Sequence, residues 1–535
     1  MEGIKFNQVM MIVLDGFGVA SPYEGNAIYL AKPQNFDYLI NNFPATTLQA
    51  SGPAVGLPWG ERGNSEVGHL NLGAGRVVSQ DLPRINLEIA SGNFFKNPAF
   101  IAAADHAKKN NSKLHLAGLF SSGGVHSLDE HLFALLGLAA DRGLKEVYIH
   151  LFTDGRDTAP KVALGDLDKL ASYIQELKAG KIATVAGRFY GMDRGGHWEL
   201  TEKVYRAMVF GEGEFYSSAR EALEANYEKQ IYDETIPPTV VSSGGKPTAA
   251  VADGDAVVFF NFRADRMQQL TRAFADPAFN KFSKKYPYLQ NMFYATMTFY
   301  GADLPVVVAY PRTMIEKGLA EVLSFHNLSQ THLAESEKYA HVTSFFNGGR
   351  QDAFPREERE IVSSPAAYEK RYQDVPEMSV EKLTERITQK LRDGTNFVLA
   401  NIANPDMVGH TGNREAAILA VKAVDKMLGL VREACLARKA CLIVTADHGN
   451  IEQLVDIRTG AIDKEHSQNP VPFILVASGF ELKTPKTKGY LELPPISPEG
   501  VLADVAPTIL ELFGLPKPSE MTGISLLPML ILKNQ

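Results

Sequence analysis

The stretch Val9-Met10-Met11-Ile12-Val13-Leu14-Asp15-Gly16-Phe17-Gly18 sets the terms for the rest of the chain. A short, continuous apolar run stopped by an acid and glycines reads as a strand buried on both faces that ends in a turn. The same design recurs. Lys113 to Phe120 precedes Ser121-Ser122-Gly123-Gly124-Val125-His126, Glu146 to Phe152 precedes Thr153-Asp154-Gly155-Arg156-Asp157, and Lys181 to Ala186 precedes Gly187-Arg188. Ala256 to Phe260 runs into Asn261-Phe262-Arg263-Ala264-Asp265-Arg266, Asn396 to Ile402 into Ala403-Asn404-Pro405-Asp406, and Cys441 to Thr445 into Ala446-Asp447-His448-Gly449-Asn450; Val471 to Val476 is a further apolar run. Helical patterns lie between them, over Ser127 to Arg142, Ala163 to Lys178, Ser379 to Arg392, Asn413 to Arg438 and Gly500 to Phe513. Strand and helix alternate, which predicts an α/β fold with mostly parallel sheets. Ligands of such sheets bind beyond the carboxyl ends of the strands, so the Asp, His and Arg residues at these exits carry the functional signal.

A chain of 535 residues exceeds the size of one core and predicts two large domains. The net charge of -8 argues against nucleic acid or an anionic membrane as partner, so an anionic small molecule must be held by a local group of arginines. Cys435 and Cys441 are the only cysteines and read as buried thiols of a protein in a reducing cytosol. Met1 to Gln8 is polar and no run approaches a membrane span, so neither a leader nor an anchor is expected.

Arg62-Gly63-Asn64-Ser65-Glu66-Val67-Gly68-His69-Leu70 is where the chemistry is expected. Gly63 lets the backbone bend, and Ser65 falls where a helix can begin, near unpaired N–H groups that favour an anion. Two readings of Ser65 stay open, a helix N-cap and a nucleophile. Val67 breaks the Gly-x-Ser-x-Gly elbow, so a nucleophilic Ser65 needs another activator, and a metal ion is one.

Sorting the strand exits by chemistry separates them along the chain. Asp15 and Ser65, with Asp406, His410, Asp447, His448 and His466, form an oxygen and imidazole set suited to divalent metal. His126, Arg156, Asp157, Arg188, Arg194, Arg263 and Arg266 form a set suited to phosphate and carboxylate. Asp406 and His410, four apart, reach one side of a helical turn. Arg263 and Arg266 are expected at the start of a helix, and Asp157 among arginines can accept a proton from a substrate hydroxyl. Lys338, in Glu335-Ser336-Glu337-Lys338-Tyr339, reads as a solvated lysine or as one more positive charge for the site. The simplest arrangement is a metal-binding domain, residues 1–79 and 313–535, interrupted by an inserted anion-binding domain, residues 80–312. Val77 to Pro83 and Pro305 to Arg312 are the expected links, with the active site in a cleft able to close about them.

These motifs, together with Met192-Asp193-Arg194, Glu337-Lys338-Tyr339-Ala340-His341-Val342-Thr343 and Asn404-Pro405-Asp406-Met407-Val408-Gly409-His410-Thr411-Gly412, resemble in order those of cofactor-independent phosphoglycerate mutases, within the alkaline-phosphatase-like superfamily. The resemblance spans nearly the whole chain. It implies two manganese ions, one on Asp406, His410 and His466 and one on Asp15, Ser65, Asp447 and His448. It also implies a phosphoserine on Ser65 formed from 3-phosphoglycerate, with transfer back to the 2-hydroxyl of bound glycerate to give 2-phosphoglycerate. His126, Arg156, Asp157, Arg188, Arg194, Arg263, Arg266 and Lys338 match substrate-binding positions, and Asp157 matches the acid or base for the glycerate hydroxyls. Ser122 and Leu128 depart from the family's Ser-Asp-Gly-Gly-Val-His-Ser-His, which puts the support around His126 in question.

Other readings follow from the same residues. A metal-dependent phosphomonoesterase or phosphopentomutase uses the same parts, and an inactive metal- or anion-binding protein keeps the fold alone. A sulfatase fits less well, because Glu66 and Val67 replace the Ser-x-Pro-x-Arg pattern. A monomer is expected.

Overall fold

The structure, a computed structural model, describes residues 5–282, 289–312, 314–365, 371–494 and 496–532. The start of the Met1 to Gln8 stretch and the last three residues of the chain lie outside them. The chain forms two compact units, one of residues 1–80 with 314–535 and the other of residues 81–313.

In the first unit an eight-stranded sheet runs in the order Glu357–Val362, Gln330–Glu335, Phe397–Ile402, Val9–Leu14, Cys441–Thr445, Val471–Val476, Ala45–Gln49 and Gly500–Val501. The first five pair in parallel and Val471–Val476 is antiparallel to both neighbours. Every residue of Val9–Leu14, Phe397–Ile402 and Cys441–Thr445 is buried, as continuous apolar runs require of strands covered on both faces. The register sets Leu14 beside Ile402 and Val13 beside Thr445, so Asp15, the loop to Asp406, and Asp447-His448 leave the sheet at one edge.

In the second unit the order is Val307–Tyr310, Phe293–Thr298, Ala256–Phe259, Leu114–Leu119, Val147–Thr153, Lys181–Gly187, Thr239–Ser243 and Glu214–Tyr216, with Lys246–Pro247 paired to Thr239–Ser243. The strands from Val307–Tyr310 to Lys181–Gly187 are parallel. Leu119 lies beside Phe152 and Thr153 beside Gly187, which brings Ser121, Asp154 and Arg188 out together.

Several expectations need correction. The units divide at 80/81, inside the expected link Val77 to Pro83, and at 313/314, just past the other; within those stretches, Pro305 to Arg312 holds the edge strand Val307–Tyr310 and Val77 to Pro83 runs into the helix Asp81–Ala90. Arg263 and Arg266 lie in the turn before the helix Gln268–Ala275. The helix expected from Gly500 is Val505–Leu512, preceded by a short strand and a 3-10 turn. Both cysteines are free and buried. No helix among the described residues is long and apolar enough to cross a membrane.

Candidate active site

Asn64, not Ser65, caps the helix Ser65–Ala74: its side chain accepts from Val67 N at 2.9 Å. The cap reading of Ser65 is thereby replaced, and its hydroxyl is free for other partners as the first residue of the helix. Two glycines allow the helix to sit hard against the Asp447-His448 exit. A Cβ on Gly68 would meet Asp447 O at 2.6 Å, and one on Gly63 would meet Ala50 O at 2.2 Å. Gly63 serves close approach rather than the expected bend.

Ser65 is 6% exposed. Its Oγ lies 2.9 Å from His448 Nε2 and 3.2 Å from Asp15 Oδ1, and accepts from Lys338 Nζ at 2.8 Å. His448 Nε2 is also 3.4 Å from Asp15 Oδ1 and 3.5 Å from Asp447 Oδ2. Alongside, Asp406 Oδ1 is 3.3 Å from both His410 Nε2 and His466 Nε2, which are 3.1 Å apart. His410 Nδ1 faces Lys464 O at 2.7 Å and His466 Nδ1 faces Gly63 O at 2.8 Å. A carbonyl only accepts, so both Nδ1 atoms carry protons and the two Nε2 lone pairs converge with a carboxylate oxygen. The His448 and His466 rings stack at 3.9 Å, joining the two sets. All seven ligands expected from the sequence therefore meet within the first unit.

Lys338 is 4% exposed, which overturns its reading as a solvated lysine. Its ammonium donates to Asp15 Oδ1 and Asp406 Oδ2, both at 2.7 Å. Burial alone would raise both carboxyls, but the Lys338 ammonium together with the neighbouring histidines, His448 at Asp15 and His410, His466 and His448 at Asp406, holds them well below the usual carboxylate range. His448 goes the other way: burial pushes it down, yet Asp447, Asp15 and Asp406 take it up to about 9. Lys338 and a protonated His448 face three buried carboxylates, which leaves negative charge in excess, and Asp447 Oδ2 has no hydrogen-bond partner. Buried charge of that excess calls for cations, and the donor set of carboxylates and Nε2 lone pairs fits them. Atoms of Asp406, His448 and His466, and of Asp15, His69 and Asp447, fall within 4.8 Å of one another.

The second unit gathers the arginine set. Arg188 is buried and donates to Asp154 at 2.6 Å and Asp157 at 2.5 Å. Arg194 pairs with Asp265 at 2.5 Å, Arg263 lies 3.5 Å from the same carboxylate, and Arg156 pairs with Glu234 at 3.2 Å. Arg266 is lowered by burial and by the charges of Arg194 and Arg188, a crowding of cations that an anion relieves. His126 sits 3.9 Å from Asp157 and 3.7 Å from Asp265, and burial with Arg188 takes it down to about 4. His126 Nδ1 and Asp265 Oδ1 lack hydrogen-bond partners. The support around His126 is backbone, since Arg263 N donates to its carbonyl at 3.2 Å, while Ser122 is exposed and Leu128 precedes the helix Asp129–Asp141 without capping it.

Asp154 and Asp265 were missed, although both stand inside the quoted motifs. Asp154 accepts from Ser121, Arg156 N, Asp157 N and Arg188, which fixes the Arg156-Asp157 turn.

A family profile described as "BPG-independent PGAM N-terminus" matches residues 85–302. The 2,3-bisphosphoglycerate-independent phosphoglycerate mutase of Clostridium perfringens is 46% identical, over 97% of this chain and 99% of its own. That of Chloroflexus aurantiacus is 47% identical, over 97% and 98%. A crystal structure of Leishmania mexicana phosphoglycerate mutase is similar at a TM-score of 0.60 with 31% identity, covering 98% of both chains. Fold and relatives together define an α/β isomerase of the phosphoglycerate mutase class. Within that class, the chain belongs to the 2,3-bisphosphoglycerate-independent phosphoglycerate mutase family.

Proposed function

We propose that the protein interconverts 3-phosphoglycerate and 2-phosphoglycerate through a phosphoserine on Ser65. The observation that carries this reading is the Ser65 hydroxyl, held between His448, Asp15 and Lys338 beside buried carboxylates in excess of positive charge. Asp406, His410 and His466 would hold one divalent cation, and Asp15, Ser65, Asp447 and His448 another, with Mn²⁺ the ion that the family resemblance implies. When bound, such ions supply Lewis-acid activation of the hydroxyl and offset developing phosphoryl charge.

The rest of the reaction falls to the chain's own side chains. The bond from Ser65 Oγ to phosphorus forms as the bond from phosphorus to the 3-oxygen breaks; Ser65 Oγ gives up its proton and the 3-oxygen takes one, so the proton count is unchanged. Return of the phosphoryl group to the 2-oxygen releases that hydroxyl's proton as Ser65 Oγ regains one, and Asp157 is the carboxylate we assign to exchange protons with both glycerate hydroxyls. Arg263 and Arg266 hold phosphate, Arg188 and Arg194 the glycerate end, with Arg156 and His126 beside them. Lys338 keeps the Ser65 oxygen oriented and offsets the charge of Asp15 and Asp406. Glycerate must stay bound while phosphoserine exists, and water must stay out, or the enzyme hydrolyses its substrate. The protein works as a monomer in a reducing cytosol, in keeping with two buried thiols.

Incubation with 3-phosphoglycerate and divalent cation, without 2,3-bisphosphoglycerate, tests the proposal. Formation of 2-phosphoglycerate without free phosphate, and label on Ser65 after acid quench, supports it. Net phosphate release makes the protein a phosphomonoesterase instead.

A further inference from the structure

We infer that His69 and Asn401 are a positioning pair that fixes Asp15 and Asp447 beside Ser65, and that His69 itself does not ligate a cation. The inference rests on the proposed cation site. His69 is buried one helical turn beyond Ser65. Its Nδ1 lies 2.9 Å from Ser65 O and 3.2 Å from Asp447 Oδ2, and its Nε2 lies 3.0 Å from Asn401 Nδ2. Asn401 Nδ2 also donates to Asp15 Oδ2 at 2.6 Å. Asn401 is held in the strand Phe397–Ile402, paired in register with Val13 of the strand that delivers Asp15.

The proton placement follows from what each atom can do. An ionised carboxylate only accepts, so the amide nitrogen of Asn401 must face Asp15. Its second N–H then points at His69 Nε2, which must accept. The ring proton is therefore on Nδ1 and goes to Ser65 O, with Asp447 Oδ2 3.2 Å from the same nitrogen but outside hydrogen-bond geometry. A ligating His69 would need an Nδ1 lone pair and a proton on Nε2. That tautomer sets N–H against N–H at Asn401, and turning the Asn401 amide sets oxygen against the Asp15 carboxylate. Neither arrangement is compatible with the distances. The ring is pinned further by His341, whose ring lies 5.6 Å away. Asp15 thus turns Oδ2 to Asn401 and Oδ1 to Ser65, while Asp447 turns Oδ1 to the Gly16 and His448 amides, leaving Oδ2 with no hydrogen-bond partner. One helix turn carries both the reacting hydroxyl and the group that aligns its neighbours.

The test uses chelator-treated full-length protein titrated with Mn²⁺, free ion being read by electron paramagnetic resonance, alongside kcat and KM for 3-phosphoglycerate. Loss of an outer hydrogen bond to a ligand weakens metal binding about tenfold to a hundredfold. We expect His69→Ala to weaken one of the two binding steps by that factor and to lower kcat with KM little changed. His69→Asn, whose Nδ2 falls near the place of the ring Nδ1, recovers part of both. Wild-type affinity and kcat in His69→Ala overturn the inference. Complete loss of one ion in both variants overturns it too, by making His69 a ligand. Wild-type protein that binds no divalent ion sinks the cation-site reading itself, a distinguishable failure. Should the variants fail to fold, nitrogen-15 spectra of histidine-labelled wild type decide: protonated Nδ1, with and without Mg²⁺, supports the inference, and protonated Nε2 overturns it.

Discussion

The two clusters of charge solve opposite problems. In the first unit Asp15, Asp406 and Asp447 are buried with one ammonium between them, a site whose excess of negative charge is fixed by the fold. In the second unit each of four arginines has a carboxylate already: Arg188 has Asp154 and Asp157, Arg194 and Arg263 share Asp265, and Arg156 has Glu234. The side chains of Arg156, Arg194 and Arg263 are more than half exposed. A buried site with carboxylates in excess of its cations suits ions that stay, while paired, exposed arginines suit an anion that arrives, trades places with a carboxylate and leaves. The largest break in this comparison is at the hydroxyl between the fixed charges. Ser65→Ala should cost at least about 10⁴-fold in kcat, as loss of a nucleophile does, with divalent-ion binding retained. Steady-state kinetics and ion titration check the two halves, and turnover within tenfold of wild type removes Ser65 from the mechanism.

Lys338→Met comes next. Removing one partner of a buried ion pair costs about 3–5 kcal/mol because charge is left uncompensated. The metal-free variant should lose stability of that order in thermal or urea unfolding, and added divalent ion should restore more of it than it adds to wild type. Equal stabilisation of both proteins would mean that the ammonium and the ions do not share the carboxylates.

A smaller effect is expected across the comparison, at Arg263. It is half exposed and only 3.5 Å from Asp265, so Arg263→Ala should raise KM about tenfold to a hundredfold, the loss of a charged hydrogen bond to substrate, while kcat changes less. A fall in kcat at constant KM would assign Arg263 to the transition state instead.

How far these clusters were legible depends on where their residues sit in the chain. Strands such as Val9–Leu14 and Cys441–Thr445 are apolar throughout and end on Asp or Asp-His, so the run and its exit residue read directly. Gln330–Glu335 was not legible as a strand because its polar residues are satisfied inside: Gln330 donates to Ala320 O and His332 Nδ1 to Val342 O. Glu357–Val362 was hidden by charge that suits a sheet edge. Lys338 follows Gln330–Glu335 directly, so missing that strand removed the clue that it points inward. His69 was in plain view within the quoted motif. Its part depends on Asn401, 332 residues away, and no spacing in the sequence shows such a pairing.

The finest test of the comparison is pH. Burial takes His126 and His131 of the second unit down to about 4 and lowers His115 and His150 as well. Groups whose folded pKa lies below the ordinary value near 6.5 add stability that is complete above 6.5 and lost as pH falls toward 4. His332 and His341 act in the same direction in the first unit, but His410 and His448 there oppose them. With His448 raised to about 9, its contribution is complete below 6.5 and lost as pH rises through 9. In metal-free protein, rate-corrected hydrogen exchange should therefore show Leu114–Leu119 and Val147–Thr153 losing protection before Val9–Leu14 as pH falls from 7 to 5, and the reverse as it rises from 7 to 9. If His448 ligates as proposed, a divalent ion takes the place of its proton, and adding one should abolish the alkaline loss and leave the acid loss of the second unit untouched. An alkaline loss that persists with ion bound would mean that His448 keeps its proton and does not ligate.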